Sequence, residues 1–389
     1  MKSVREVNTL LTDVPQELLI TGLQHTMKAV AMNNSVILLA HVNGLTLDSS
    51  NMSMSIRYDI PVGTSVTVQQ TGTIAVPSRY FNDIIRKLPA GTLVTLAEEE
   101  NLILSIKAGQ SVYRLCGTNP AELLPPSAPG PKANRSILIP NEALKTIVRQ
   151  VAFAVSTSET RPILTGVCFR VDGNTLRLTA TDGVRFASRE TKVENRAGIG
   201  ANIVIPGKNL SYISRILKDV PDSTEICLGE KRISFKSRNL AVHSAVIDGT
   251  FPALENKVPQ SFTTEITVDT AGFLHAVERV TLLAGENVIR LYTSMNNKLE
   301  LASNTPEIGD VHDEVGLADM SGQGVGISFN GKYMQDILRC IDSGQVKVGF
   351  AGGNKPIVIT PVTSFDNTSA LYLISPILSH SAYRDRFVQ

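Results

Sequence analysis

Apolar residues along the chain fall into short alternating runs separated by Gly, Asn and Pro turns, and helical periodicity interrupts them at regular intervals. In the first third, 36–40, 45–48, 53–60 and 65–70 read as strands, as do 93–96 and 102–106 around an acidic hairpin tip at 98–101. A strand over 111–116 completes the set, and 1–7 reads as one more. Asp13-Val-Pro15 predicts a helix start with Pro15 in the first turn, continuing over 16–32. The second third repeats this order: a helix from Pro140-Asn141 to about 155, strands at 163–170, 175–180 and 202–205, then 224–228, 232–236 and 240–247. In the last third Asp269 caps a helix running to about 284 and the same sequence follows.

One stretch occurs three times without a gap: Arg79-Tyr-Phe-Asn-Asp-Ile-Ile-Arg86, Lys208-Asn-Leu-Ser-Tyr-Ile-Ser-Arg215 and Lys332-Tyr-Met-Gln-Asp-Ile-Leu-Arg339. Each follows a strand-like run and a turn. The shared apolar positions are Phe81, Ile84 and Leu88, then Leu210, Ile213 and Leu217, then Met334, Ile337 and Ile341. At roughly 100° per residue each set forms one stripe, and the two flanking cations fall about 180° away from it. A single such face is ordinary solvated surface. Three in one register shift the balance away from that reading, although an acid at the fifth place of two copies (Asp83, Asp336) keeps the faces from being purely basic.

In each third a helix starts about half a period before the repeated one, so the pattern is six half-units of one helix and several antiparallel strands. The fold class is α+β: three similar domains, each of two βαβββ-type half-units. Residues 119–133 hold five prolines and a glycine and form a stiff linker, which 251–259 echoes. The boundaries drawn from this are 1–128, 134–258 and 259–379, with 380–389 as a C-terminal extension.

Composition narrows the chemistry. With 389 residues, 42% hydrophobic and 19% charged, the chain has the make-up of a soluble globular protein. The net charge of +1 leaves no global basic field, so polyanion binding has to come from local arrangement. No apolar run is long enough to cross a bilayer, no leader pattern opens the chain, and Cys116, Cys168, Cys227 and Cys340 are scattered, as expected in a reducing cytoplasm. Phosphate loops, dinucleotide fingerprints, nucleophile elbows and zinc-protease pairs are missing, and the histidines (His25, His41, His243, His275, His312, His380) have no metal-ligand spacing. Asp182-Gly183 and Asp248-Gly249 read as turns. The expectation is a non-enzyme without metal or cofactor.

From Arg161 onward the sequence resembles a known family. Arg161-Pro-Ile-Leu-Thr-Gly-Val167, Leu176-Arg-Leu-Thr-Ala-Thr-Asp-Gly-Val-Arg-Phe-Ala-Ser-Arg-Glu190, Val204-Ile-Pro-Gly-Lys-Asn-Leu210, Ile247-Asp-Gly-Thr-Phe-Pro252 and Tyr372-Leu-Ile-Ser-Pro376 are similar to the bacterial DNA sliding clamp, the β subunit of DNA polymerase III. The resemblance covers nearly the whole chain and is weakest before residue 75. It implies the DNA clamp fold, in which each chain is half of a closed head-to-tail homodimer ring. The helices then line a hole around double-stranded DNA, held through phosphates without sequence preference. Arg79, Arg86, Lys208, Arg215, Lys332 and Arg339 become DNA-binding candidates. Lys28 on the first helix and Lys145 and Arg149 on the third join them, with plain surface charge as the other reading.

The resemblance also implies a peptide-binding pocket for DNA polymerase, clamp loader and repair proteins. The matching positions are Arg161, Leu164, Thr181, Gly183, Val184, Arg185, Phe186, Pro252, Asn256, Lys257, Leu373, Ile374, Ser375, Pro376, Ile377 and Leu378. From pattern alone Leu164, Phe186, Ile374 and Ile377 read as core; the family implies a partly open groove rimmed by Arg161 and Arg185. Tyr113 and Leu115, with Leu282 and Leu283, map to the family's dimer seam. The chain departs from the family at Val184, Asn256 and Leu378 and runs on through 380–389, a tail that begins beside the proposed groove and is either disordered or a cover for the pocket. The function expected is a processivity clamp that tethers polymerase, associated with the nucleoid. The alternative is a clamp-fold paralogue serving as a specialised protein scaffold.

Overall fold

The computed structural model describes residues 9–30, 34–122, 135–217, 222–254, 257–294, 297–363 and 369–378. Six helices appear among them: α1 (Gln16–Thr26), α2 (Ser78–Lys87), α3 (Asn141–Val151), α4 (Gly207–Ile216), α5 (Thr270–Thr281) and α6 (Gly331–Cys340). Each follows one strand and precedes three, giving six strand–helix–three-strand half-units, the first with an added strand, Thr67–Gln70. Every strand pairing is antiparallel, so each sheet can bury one face under helices, as an α+β fold requires.

The chain forms two compact units. The first comprises residues up to Asn141, Glu194–Ile199 and Arg215–Val246. A five-stranded sheet orders Thr67–Gln70, Leu11–Pro15, Leu93–Glu99, Ile103–Ala108 and Ser111–Cys116. An eight-stranded sheet joins the strand Leu240–Ala245 to Met54–Pro61 at its centre, in the register Leu240↔Tyr58 to Ser244↔Met54. Leu19, Leu23, Phe81 and Ile85 from α1 and α2 pack into one core with Val36, Leu38, Leu96 and Ile106 from the strands. Gln16 donates to the carbonyls of Ile85 and Leu88 at 3.0 and 3.1 Å, satisfying acceptors that the end of α2 leaves open.

Three expectations change here. Asp13-Val-Pro15 does not start the helix: Leu11–Pro15 is a strand, and the Asp13 carboxylate accepts from Thr95, Gln69 and Thr67 of the neighbouring strands. Pro15 ends that strand and takes the N-cap position. α1 stops at Thr26 rather than 32, because Ser49 takes the Thr26 carbonyl and Thr26 bonds back to Gly22. A tight turn, Met27–Ala29, follows, and Lys28 is exposed on that turn and not on the helix. On α2 the buried positions are Phe81, Ile85 and Leu88, while Ile84 is half-buried at the flank. Truncating Ile85 to alanine would therefore cost about 2–5 kcal/mol, and Ile84 less.

The second unit holds Glu142–Val193, Gly200–Ser214 and the residues from Ile247 onward. Its twelve-stranded sheet begins Ala201–Pro206, Gly166–Asp172, Thr175–Thr181, Arg185–Lys192, then continues through Ala370–Ile374 into the last third. Arg185–Lys192, absent from the expected strands, is the strand that makes this continuity, pairing Arg185 with Ile374 and Phe186 with Leu373. Residues 163–165 belong to a 3-10 turn, Pro162–Thr165, rather than to a strand. α3 ends at Val151 and tightens into Ala152–Ala154. Asp269 caps α5 by accepting from the Gly272 amide at 2.7 Å, and Asn330 caps α6 by accepting from the Lys332 and Tyr333 amides.

Candidate functional site

The repeated helices bury one stripe and leave their cations outside. Leu210, Ile213 and Leu217 are in the core, as are Met334, Ile337 and Ile341. Arg79, Arg86, Lys208, Arg215, Lys332 and Arg339 are all exposed. Arg79, Lys208 and Lys332 make no ion pair among the described residues. Arg86 donates to Asn82 at 2.9 Å within α2. Arg339 pairs with Glu278 of α5 at 2.8 Å, with half of its side chain still accessible. Of the additional candidates, Lys145 is half-buried beside Glu142 at 3.6 Å. Arg149 is not a spare surface charge. Its guanidinium grips both Asp342 oxygens at 2.8 and 2.6 Å and donates to the Cys340 carbonyl at 3.0 Å.

The peptide-pocket candidates gather in the second unit around the start of strand Arg185–Lys192. Asp182 Oδ1 accepts from the amides of Val184 and Arg185, both at 2.9 Å, closing the expected turn, and Gly183 takes the left-handed φ of +97°. Thr181 Oγ1 accepts from the Gly183 amide at 3.0 Å and donates to the Arg185 carbonyl at 2.6 Å. The C-terminal segment lies along this turn: Ser375 N donates to the Val184 carbonyl and Ile377 N to that of Ser328, both at 2.8 Å. Val184 and Leu378 are exposed apolar residues at 43% and 71%, while Ser375, Pro376 and Ile377 are half-buried.

Other candidates lie deeper than a rim or an open groove would place them. Leu164, Phe186, Leu373 and Ile374 are buried. Phe186 and Leu373 cluster with Val358 beneath Leu254, Val258, Phe262 and Leu371. Arg161, Pro252 and Lys257 are exposed. Asn256 and the extension 380–389 lie outside the described residues. Arg185, expected at the rim, is a pillar, with its side chain only 11% exposed. It pairs with Asp182 at 2.9 Å and Asp336 at 2.6 Å, and its guanidinium lies 4.3 Å from the Tyr333 ring centre and 5.5 Å from that of Phe153. Asp182, Asp336, Tyr333 and Phe153, which hold Arg185, are not among the candidates read from the sequence. The shared acid at the fifth place of two repeated helices was the available signal for Asp336.

The seam candidates occupy free edges and ends. Strand Ser111–Cys116 is the last in its sheet, with Tyr113 exposed and Leu115 half-buried against the core. Leu282, just past α5, is 82% exposed, and Leu283 is half-buried with its carbonyl held by Thr305. The long strand Gly309–Gly322 pairs through 309–316 with Lys298–Thr305, and only its remainder pairs with Thr264–Asp269. Among the described residues no helix is long and apolar enough to cross a membrane, and no cluster of His, Cys, Asp or Glu is arranged to hold a metal.

Family models for the DNA polymerase III beta subunit match in chain order: the N-terminal domain over 12–125, the central domain over 138–253 and the C-terminal domain over 256–376. The Bacillus subtilis beta sliding clamp is 34% identical over 94% of this chain and 99% of its own, and the Staphylococcus epidermidis beta sliding clamp is 35% identical with the same coverage. The crystal structure of the Bacillus subtilis DNA polymerase sliding clamp superimposes with a TM-score of 0.90 at 33% identity, covering 95% of this chain and 100% of that one. A Pseudomonas aeruginosa sliding clamp bound to griselimycin gives 0.87 at 25% identity and the same coverage. The chain belongs to the beta sliding clamp family of DNA polymerase III beta subunits.

Proposed function

We propose that two copies of this chain close head to tail around duplex DNA, with Arg79, Arg86, Lys208, Arg215, Lys332 and Arg339 turned toward the phosphates and Lys28 beside them. As a member of its family the protein is a processivity clamp, a tether for DNA polymerase without catalytic chemistry. The reading as a specialised scaffold paralogue is not favoured, since relatives matched over almost the full length are named beta sliding clamps. The observation that carries the reading is the shared register of the three repeated helices: apolar stripe buried, cation pair exposed. Contacts of this kind fall off with salt and carry no base preference, which suits a ring that slides.

In this reading the clamp domains are 1–128, 134–258 and 259–379. Strand Ser111–Cys116 of one copy adds to the open stretch 309–316 of the other, with Tyr113, Leu115, Leu282 and Leu283 at the seam. Arg161, Leu164, Val184, Phe186, Pro252, Lys257 and 373–378 form the site for short motifs of polymerase, clamp loader and repair proteins, which raises their local concentration at DNA. The protein works in the cytoplasm at the nucleoid. The test is retention after clamp-loader treatment: the protein should stay on nicked circular DNA and leave when the circle is cut. Equal loss from both forms overturns the ring. Leu282→Asp with Leu283→Asp should give monomers by sedimentation; a persistent dimer refutes the seam.

A further inference from the structure

We infer that the seam copies the register of the two strand junctions inside the chain, which sets Arg114 of one copy against Asp310 of the other and makes this ion pair a selector for a second copy of the chain; this rests on Ser111–Cys116 and 309–316 being the seam. The three thirds carry matching rows of paired residues. Leu11 stands opposite Ala97, Ala97 opposite Ser105, and Ser105 opposite Arg114. The equivalent rows, each begun four residues before the end of the strand ahead of the first helix in its third, finish at His243 and Leu373. Rows begun two residues before the end of the strand ahead of the repeated helix finish at Arg57, Ser188 and His312. Both internal junctions join these rows in one way: Arg57 pairs with Ala241, two before His243, and Ser188 pairs with Leu371, two before Leu373.

One row of each kind is left over, ending at Arg114 on the edge strand Ser111–Cys116 and at His312 on the open stretch 309–316. Joined as the other two are, they set Val112 opposite His312 and Arg114 opposite Asp310, with Tyr113 against Val311 on the other face. Arg114 is exposed and its Nε donates to Glu99 at 2.9 Å, so the terminal nitrogens of its guanidinium can take a second carboxylate. Lys107, exposed on the same face of the sheet, offsets Glu99. Asp310 is exposed and makes no ion pair among the described residues. A slip of one or two residues in either direction would set Arg114 against Val311, Gly309, His312 or Ile308, none of them an acid. The inherited register is thus the one in this range that pairs opposite charges directly across the strands, the arrangement that favours a sheet. Gly309 holds the place that Arg185 holds in the second junction, so the buried clamp has no counterpart at the seam and the exposed pair supplies the charge readout.

The test uses full-length Arg114→Asp and Asp310→Arg variants, differently labelled, alone and mixed in equal amounts, followed by sedimentation and native mass spectrometry. Alone, each variant meets like charge at both seams of a ring, and its dimer dissociation constant should rise about tenfold over that of the parent protein. A ring with one copy of each variant has opposite charges at both seams, so the mixture should assemble into one-to-one dimers with the parent's affinity. Restoration by mixing also shows that neither variant failed merely to fold. Dimers of like copies as abundant as mixed ones, or equal restoration of Arg114→Asp by His312→Arg, overturn the register, while Leu282→Asp with Leu283→Asp still reports on the seam. If the parent protein is a monomer at every concentration, the seam reading itself fails and the pair goes with it.

Discussion

Lys332 and Arg185 are cations in the same unit held in opposite ways. Lys332 sits exposed on α6, without an ion pair among the described residues. Arg185 is stacked against Tyr333 of that same helix and clamped by Asp182 and Asp336. Asp336 lies four residues after Lys332 and three before Arg339, on the same helical face. The buried cation therefore neutralises an acid on the helical face that carries the two exposed ones. Position on a helix decides what a charge can reach; burial and partners decide whether it is available.

Breaking the buried member should have the largest effect. Arg185→Ala strands two carboxylates, one of them at 13% exposure, and should destabilise the second unit by about 3 kcal/mol, seen as a lowered thermal midpoint. An unchanged midpoint would mean that Arg185 is as loosely held as a surface charge. Asp336→Asn keeps the shape and removes one partner; we expect about 1–2 kcal/mol of lost stability, accompanied by tighter DNA binding because the α6 face gains positive charge. Weaker binding would remove Asp336 from the DNA-facing surface. Lys332→Ala should leave stability within about 0.5 kcal/mol and reduce the slope of log affinity against log salt by about 0.9 for each phosphate no longer neutralised. A large drop in stability there would erase the contrast.

A third cation-capable group, His243 in the first unit, sharpens the same point. Burial, with Arg57, Lys236 and Arg232 nearby, pushes its pKa down to about 4, so it is held neutral beside Ser234. Its folded value lies below that of the unfolded chain. Its contribution is therefore complete above about pH 6.5 and erodes as pH falls toward about 4. His243→Gln should flatten this part of the pH–stability profile and leave stability near neutral pH little changed. A profile identical to that of the parent protein would show that the imidazole is solvated.

How much of this was legible in the sequence follows from the range of each interaction. The repeated helices were readable because their stripe and cations lie within three turns of chain. Strand Arg185–Lys192 was not, since it lies between two strands and one of them, Ala370–Ile374, is far along the sequence. Leu11–Pro15 was misread because the buried Thr12 and the cross-strand Asp13 look like turn residues until their neighbours appear. Arg185 resembled a rim residue for the same reason: its partner Asp336 is 151 positions away. The resemblance supplied a role for these positions but not their depth, and Phe186 and Leu373 proved closed over by Leu254 and Phe262.

The edge-to-edge pairing of Leu240–Ala245 with Met54–Pro61, and of Arg185–Lys192 with Ala370–Ile374, has a mechanical corollary. Each welds neighbouring thirds of the chain through main-chain bonds rather than a pliable hinge. In the proposed ring, opening at either weld would break a whole ladder of main-chain bonds. That reading puts compliance at the proposed seam between subunits, where contacts can part without tearing a continuous sheet.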